Sequence, residues 1–550
     1  MEKRVNIELL ILGGGVSGSA CAWQAAKMGR KVLLVEETPW LGGMITSAGV
    51  SAFDGNKKAV ASGFFLMIRK EIEAYYGGPE KTFTGWISHH CFEPKVAEKM
   101  IRKHVLDAGV EVLFNTRLVE VLRKGNRILG AIVENAEGRI RIEAKLTVEA
   151  TEYGDVLHLG KVPYRLGRES KEQTGEDHAP AKPDMKVQDM TLCAIMKKDP
   201  SGKATPLPRP ANYNPDQFDC AVTDRCSTPD AKFLNHALHD WNSFITYAAL
   251  PNDKYLLNWP FHSNDSPDSV GIFGTPDERA EAIEKARART LAFCYYMQNE
   301  LNHPEWGLAT DEFGTPDHLP FIPYVRESRR VIGKTILKEN DVLPPTEGGP
   351  RAKFQADSIA IGDYFLDHHH SEEHLPPDQR LNENYPDNAP FQVPYGSLVP
   401  KDVDGLLVAE KSISVTHIVN GCSRLQPVVM LIGQAAGMAA ALCLDRNLDP
   451  RELDAAELQD ELIEAGVAVY PFSDLYNDHP AFGAVQRLAM TGLFPADQPM
   501  EFKPDEPISK EDAAFYEEEF DLGGLWKPGM RRGDFFIRLY ESLESELEEE

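Results

Sequence analysis

Residues 7–44 constrain this chain more than any other stretch. An apolar run at 7–12 ends in Gly13-Gly14-Gly15-Val16-Ser17-Gly18, so glycines at 13, 15 and 18 stand where a buried strand turns into a helix. Gly13 permits the tight turn, Gly15 lets backbone N–H groups approach a pyrophosphate, and Gly18 lets the helix lie close on the sheet. The helix opens at Val16 and Ser17, where unpaired donors and the helix dipole favour negative charge. It is expected over 16–28, stops at Gly29, and is followed by a second apolar run, 32–35, that ends in Glu36. A carboxylate at that strand end accepts both hydroxyl hydrogens of a ribose and repels a 2′-phosphate. Glu36 and its neighbour Glu37 are therefore assigned to a dinucleotide ribose.

Leu41-Gly42-Gly43-Met44 follows shortly after, and two later segments read Ala150-Thr151-Glu152-Tyr153-Gly154-Asp155 and Gly405-Leu406-Leu407-Val408-Ala409, the last leading to a helix-opening run at 424–437. In this set and order the chain resembles the FAD-dependent oxidoreductases with a glutathione-reductase-like nucleotide fold. The resemblance implies FAD, with Gly42, Gly43 and Met44 beside the flavin, Leu118 and Val119 passing the adenine, and Ala150 and Thr151 re-entering beside the cofactor. It places Asp155 at the ribityl or pyrophosphate region, a helix-capping acid being the alternative. Gln426 and Pro427 then start a helix aimed at the flavin N1 and C2 carbonyl, where its dipole stabilises the reduced ring. Ala409-Glu410-Lys411 departs from the Gly-Asp that ends the equivalent strand in many relatives.

The expected architecture is α/β: a Rossmann-like FAD-binding domain from 1–159 and 393–447, an inserted mixed α+β substrate domain at 160–392, and a small, mostly helical C-terminal domain at 448–550. Local signals place helices at 59–76 and 95–108, strands at 110–121 and 128–134 around a Gly125-Asn126 turn, and a strand at 140–149. Thr275-Pro276-Asp277-Glu278 supplies an N-cap, a proline at the first helical position and a capping-box acid for a helix to about residue 300. Strand-like pieces lie at 190–196, 255–259 and 328–335, and a mixed sheet of this kind covers the flavin in the resembling family. Residues 471–510 resemble one S-layer-homology module, read as a docking or dimer element compatible with a homo-oligomer.

The net charge of −27 sets nucleic acid and anionic membrane surfaces aside as partners. The eight cysteines are scattered and read as thiols in a reducing compartment, with a Cys220–Cys226 bond left open. With neither an export leader nor an apolar run of membrane-spanning length in view, the cytoplasm is the expected location and no membrane the expected partner.

Met44 to Val50 carries no cysteine pair for thiol relay, and no second strand–GxGxxG–helix unit offers a nicotinamide site. Electrons are thus expected to pass directly between flavin and a stacked small molecule. Hydride transfer needs a proton-transfer group and, for a carboxylate, a cation. The densest candidate cluster is Asp367-His368-His369-His370 with His374; His417 and Arg424 flank the flavin-side helix. His370 and His374 have metal-ligand spacing, but the adjacent prolines argue for a solvated loop, and no metal is expected. The run 324–330 (YVRESRR) offers one inward arginine or an exposed ion-pair ladder. His89-His90, His262, Trp259 and Phe261 are weaker candidates.

The favoured reaction is hydride transfer between flavin N5 and a small hydroxylated or carboxylated metabolite, a sugar or polyol among the options, with His369 or His417 moving the proton, Asp367 tuning it and Arg424 orienting. Reduction of an activated C=C bond and a non-catalytic flavin-binding role are the alternatives.

Overall fold

The computed structural model describes residues 3–87, 89–226, 240–258, 262–267, 269–370 and 385–549. Trp259, Phe261 and His374 lie outside the described residues. β1 (Lys3–Leu12) turns at the glycines into α1 (Val16–Lys27) and returns as β2 (Val32–Val35). The first strand begins before its apolar run because Lys3 to Asn6 are held by ladder pairing with Ile140 to Glu143 rather than by burial.

α2 (Gly63–Tyr76) and α3 (Pro94–Asp107) pack against each other, and α3 also packs against α1. The helix expected from 59 starts at Gly63, since Ala59 N–H is drawn to Asp363 Oδ2 (2.8 Å) and Val60 N–H to Phe472 O (2.9 Å). β3 (Glu111–Leu113) then precedes the antiparallel run β4 (Arg117–Lys124), β5 (Arg127–Asn135) and β6 (Gly138–Glu149). The order is β3-β2-β1-β6-β5-β4, with β7 (Leu406–Val408) added in parallel to the end of β6. β1, β2, β3, β6 and β7 all point one way, so their carboxyl ends form one rim, and a ligand crevice belongs there.

Four helices bring further residues to that rim: α4 (Asp155–Leu159), α5 (Pro276–Asn299), α6 (His417–Ser423) and α7 (Gln426–Arg446). α5 starts as its sequence dictates: Thr275 Oγ1 accepts the Glu278 N–H, and the Glu278 carboxylate accepts the Thr275 N–H at 2.7 Å. α7 has a mean hydropathy of 1.9 and enough length to cross a membrane, but 94% of its apolar window is buried inside the protein. A helix apolar all round is a core helix when neighbours cover it, and α1 does so at backbone distance. A Cβ at Gly433 would fall 2.1 Å from Ser17 O, and one at Gly437 would fall 2.3 Å from Cys21 O.

The inserted region carries a four-stranded sheet that is wholly antiparallel, not mixed, in the order Ala249–Leu250, Lys254–Leu257, Ala194–Lys198, Trp306–Leu308. Fully buried Lys254 fastens it to the nucleotide-binding part, with Glu93 and Glu312 oxygens each 2.7 Å from Nζ. Of the 328–335 piece only Arg330–Val331 is strand. Cys220 and Cys226 are bonded to each other, and the other six cysteines are buried thiols.

The C-terminal helices Ala455–Glu464, Phe482–Met490, Lys510–Glu519 and Arg532–Glu549 are not strung off the body on a free tether. Buried Arg351 donates to three of their connecting carbonyls, Pro471 O (2.9 Å), Gln498 O (2.7 Å) and Pro499 O (2.9 Å). Ser358 and Gln392 both donate to Val469 O, and Ser62 Oγ accepts the Ala468 N–H.

Candidate active site

The glycine turn closes as the sequence demands. Gly13 sits at φ 103°, and a Cβ there would lie 2.0 Å from Ala150 O; one at Gly18 would lie 1.8 Å from Gly13 O. Ala150 continues the same surface through its N–H to Leu12 O (2.8 Å), with Thr151 next to it. Gly42 (φ 97°) donates to Gly14 O at 2.8 Å, and a Cβ on Gly43 would be 2.8 Å from Gly15 Cα, so the second glycine pair lies flat on the first. Met44 is buried immediately beyond. Glu36, buried at the end of β2, accepts the Gly14 N–H (2.7 Å) and the Thr38 N–H (2.8 Å).

The departing residue Glu410 nevertheless returns a carboxylate to this turn. It takes a left-handed backbone (φ 55°), its N–H donates to Ser17 Oγ (3.0 Å), and its Oε2 receives the Ser17 N–H at 3.3 Å. Buried Lys411 bridges it to Glu152 at 3.2 and 2.7 Å. Neither residue stood out in the sequence except as a mismatch.

Glu37 is exposed and lines a cavity of about 410 Å³ with Asn115, Arg117, Glu134, Asn135 and Ala136. Leu118 and Val119 are half-buried on β4 and do not line it; Leu118 packs into the apolar layer under the sheet. Asp155 stands at the start of α4. Its carboxylate is gripped by Arg279 (2.8 and 2.9 Å) and Arg329 (2.8 Å), which outweigh burial and hold its pKa below the usual value. The whole arginine run is interior: Arg326, Arg329 and Arg330 are at most 1% exposed, against the surface ladder. Each is neutralised or bonded in place, Arg330 by Glu169 at 3.0 Å and Arg326 by Asp265 at 3.1 Å.

At the start of α7 the side chains converge. Gln426 Oε1 accepts the Asp54 N–H (2.9 Å), Asp54 Oδ1 accepts from Trp86 Nε1 (2.6 Å), and Pro427 lies against Gly55. Arg424, 2% exposed, donates to the Tyr324 hydroxyl and to Asp367 Oδ2 at 2.9 Å. The same oxygen of Asp367 faces His369 Nε2 at 3.3 Å, and His369 Nδ1 faces Asp265 Oδ2 at 2.9 Å. Burial and Arg326 push His369 toward neutrality, but Asp367 and Asp265 outweigh them and its pKa lies above the ordinary histidine value. Asp367 is depressed below the carboxylate range because His369 and Arg424 overcome its desolvation.

The other histidines separate from it. His368 is pushed down to about 3 by burial and by His417, and its Nε2 bonds His417 O at 2.9 Å. His370 is likewise held neutral by burial. His417 is 2% exposed and turned onto Glu327, 2.9 Å from its Nδ1. The histidine run is therefore not a solvated loop over residues 368–370, and of the two proton-transfer candidates only His369 joins the centre at Asp367. Asp265 and Asp54 had no spacing or periodicity to mark them.

The family model described as FAD dependent oxidoreductase matches residues 8–462. The chain belongs to that family. FAD is the cofactor, and the residues fit it: glycines at 13, 14, 15 and 18 that leave the turn's backbone without side chains, an acid at the strand end and a second glycine pair in contact with the first. Among curated proteins, the thiamine thiazole synthase of Aeropyrum pernix is 28% identical over 133 residues, 24% of this chain and 46% of that protein. The digeranylgeranylglycerophospholipid reductase of Sulfolobus acidocaldarius is 27% identical over 162 residues, 28% of this chain and 35% of that one. The chain thus spans about a third to a half of the length of these relatives. A geranylgeranyl bacteriochlorophyll reductase-like structure from Thermoplasma acidophilum covers 99% of both chains at 10% identity and a TM-score of 0.36.

A second family model, the S-layer homology domain, matches residues 471–514. This overturns the cytoplasmic expectation, because that module belongs to surface-associated proteins; the Cys220–Cys226 bond accords with the correction.

Glu36→Lys is expected to weaken FAD binding by roughly 10- to 100-fold, since it strands two buried N–H donors and removes the ribose acceptor. Equilibrium titration of the apoprotein by flavin fluorescence measures this, and an unchanged affinity would remove Glu36 from the cofactor site.

Proposed function

We propose that this flavoprotein transfers a hydride between FAD and a small hydroxylated or carboxylated metabolite. The observation carrying the reading is the shared oxygen of Asp367, which meets both His369 Nε2 and Arg424 Nη2 while the Asp367 side chain keeps 22% of its surface open. FAD supplies the two-electron acceptor or donor when bound. The chain's own residues do the rest. His369 holds a proton at Nε2 and exchanges it with substrate through the Asp367 carboxylate, which fixes the ring and faces the open side, and Arg424 supplies a fixed cation beside it. Asp54, steadied by Trp86 and Gln426, adds an acceptor for a substrate hydroxyl.

The test is an anaerobic panel on FAD-loaded protein. Hydroxy acids, polyols and sugars are added to the oxidised form, and keto acids and enoates to the prereduced form. Bleaching by a hydroxylated substrate, or reoxidation by its keto counterpart, is expected. Reoxidation by enoates alone would replace this reading with C=C reduction, and silence across the panel would favour a binding role.

A further inference from the structure

We propose that Asp265 is the positioning residue that keeps the His369 ring doubly protonated and fixes which way its Nε2 points. The inference rests on the reading of His369 as the proton-transfer group. Asp265 comes from another part of the chain, the two-residue strand Asp265–Ser266 paired antiparallel with Met190–Thr191, and is 1% exposed.

Its two oxygens have separate duties. Oδ1 receives Arg326 Nη2 (3.1 Å) and the Thr191 hydroxyl, which keeps the carboxylate ionised; Oδ2 is left for His369 Nδ1 at 2.9 Å. An ionised carboxylate only accepts hydrogen bonds. Because Asp367 occupies the other ring nitrogen, both nitrogens must donate, and the ring between them is an imidazolium. Backbone contacts lock the same residue: His369 N–H donates to Gln188 Oε1 (3.2 Å), and its carbonyl accepts the Asp189 N–H (2.8 Å).

The charges facing His369 are Asp265 from the short strand, Arg326 from the interior arginine run and Asp367 from its own segment. Together with Arg424 they form an alternating row: Arg326, Asp265, His369, Asp367, Arg424. Asp265 is the member that stands between Arg326 and the ring. Without it, a buried cation would face the imidazole directly and drive its proton off. The Asp367 contact is longer, so Asp265 carries the larger share of the ring's orientation.

Histidine-selective isotope labelling of the FAD-loaded full chain, with His369 assigned by its loss in His369→Gln, tests the proposal without any substrate. In the native protein both ring nitrogens are expected to report the protonated form at pH 7.5, well above the ordinary midpoint of about 6.5. A neutral ring there overturns the proposal, whatever any variant does. In Asp265→Asn the His369 midpoint is expected to fall by about one pH unit or more, with the corresponding limb of the kcat profile moving alongside, KM changing little, and Asp265→Glu recovering part of both. An unchanged midpoint in a folded, FAD-retaining Asp265→Asn protein also overturns it. A shifted midpoint in a protein that turns over no substrate would instead count against the proton-transfer reading and leave the role of Asp265 standing.

Discussion

With His369 replaced by alanine, the protein is expected to remain yellow and lose turnover by about 10²- to 10⁴-fold, the range associated with a positioned acid or base. The loss should fall on kcat. The glycine turn and Glu36, the expected FAD contacts, do not touch His369, and the two carboxylates left behind keep Arg326 and Arg424 as partners. Stopped-flow reduction of the bound flavin by the best substrate of the anaerobic panel measures the step itself. Turnover within a factor of three of the native rate would remove His369 from the chemistry. His417→Ala provides the contrast: its ring is buried against Glu327 away from Asp367, so that change should lower thermal stability more than the rate of flavin reduction.

Gly433→Val is expected to leave almost no folded protein. The added Cβ would sit 2.1 Å from the backbone oxygen of Ser17, an atom no rotamer change can move, at the turn where α1 begins. Overpacking against side chains costs about 1–3 kcal/mol, and a clash with helix backbone exceeds that range. Native stability is only about 5–15 kcal/mol, so separation of α1 from α7 would take most of it. Soluble yield, thermal unfolding and FAD content read the effect together. Gly523→Ala is the control, since nothing lies within 4 Å of its Cβ position and its backbone is not left-handed. A Gly433→Val protein with native FAD content would show that the two helices do not depend on this contact.

The parts of the fold legible in the sequence are those whose signals are local. The strand, glycine turn and acid at 36, the hairpin at Gly125-Asn126, the capping box at Thr275 and the alanine-rich helix behind Pro427 each carry their own chemistry within a few residues. The proposed centre is the opposite case. It gathers Asp54, Asp265, Arg326, Asp367 and Arg424 from five separate segments, and no spacing rule links them. Composition even misled at this point: three adjacent histidines beside prolines resemble a wet loop, and three arginines in five residues resemble a surface ladder. Burial reversed both, because each arginine found a carboxylate or a carbonyl inside, and His368 and His370 could enter uncharged. The location was misjudged for a different reason: the S-layer-homology resemblance at 471–510 was read as a docking or dimer element, whereas the matched module is one of surface-associated proteins.

Arg351 has a mechanical meaning. Its guanidinium rivets the matched S-layer homology segment to the body at three carbonyls, two of them almost thirty residues along the chain from the first. Whatever grips that segment from outside therefore grips a rigid handle, and the nucleotide-binding body is held in one fixed attitude to the support instead of swinging about on a leash.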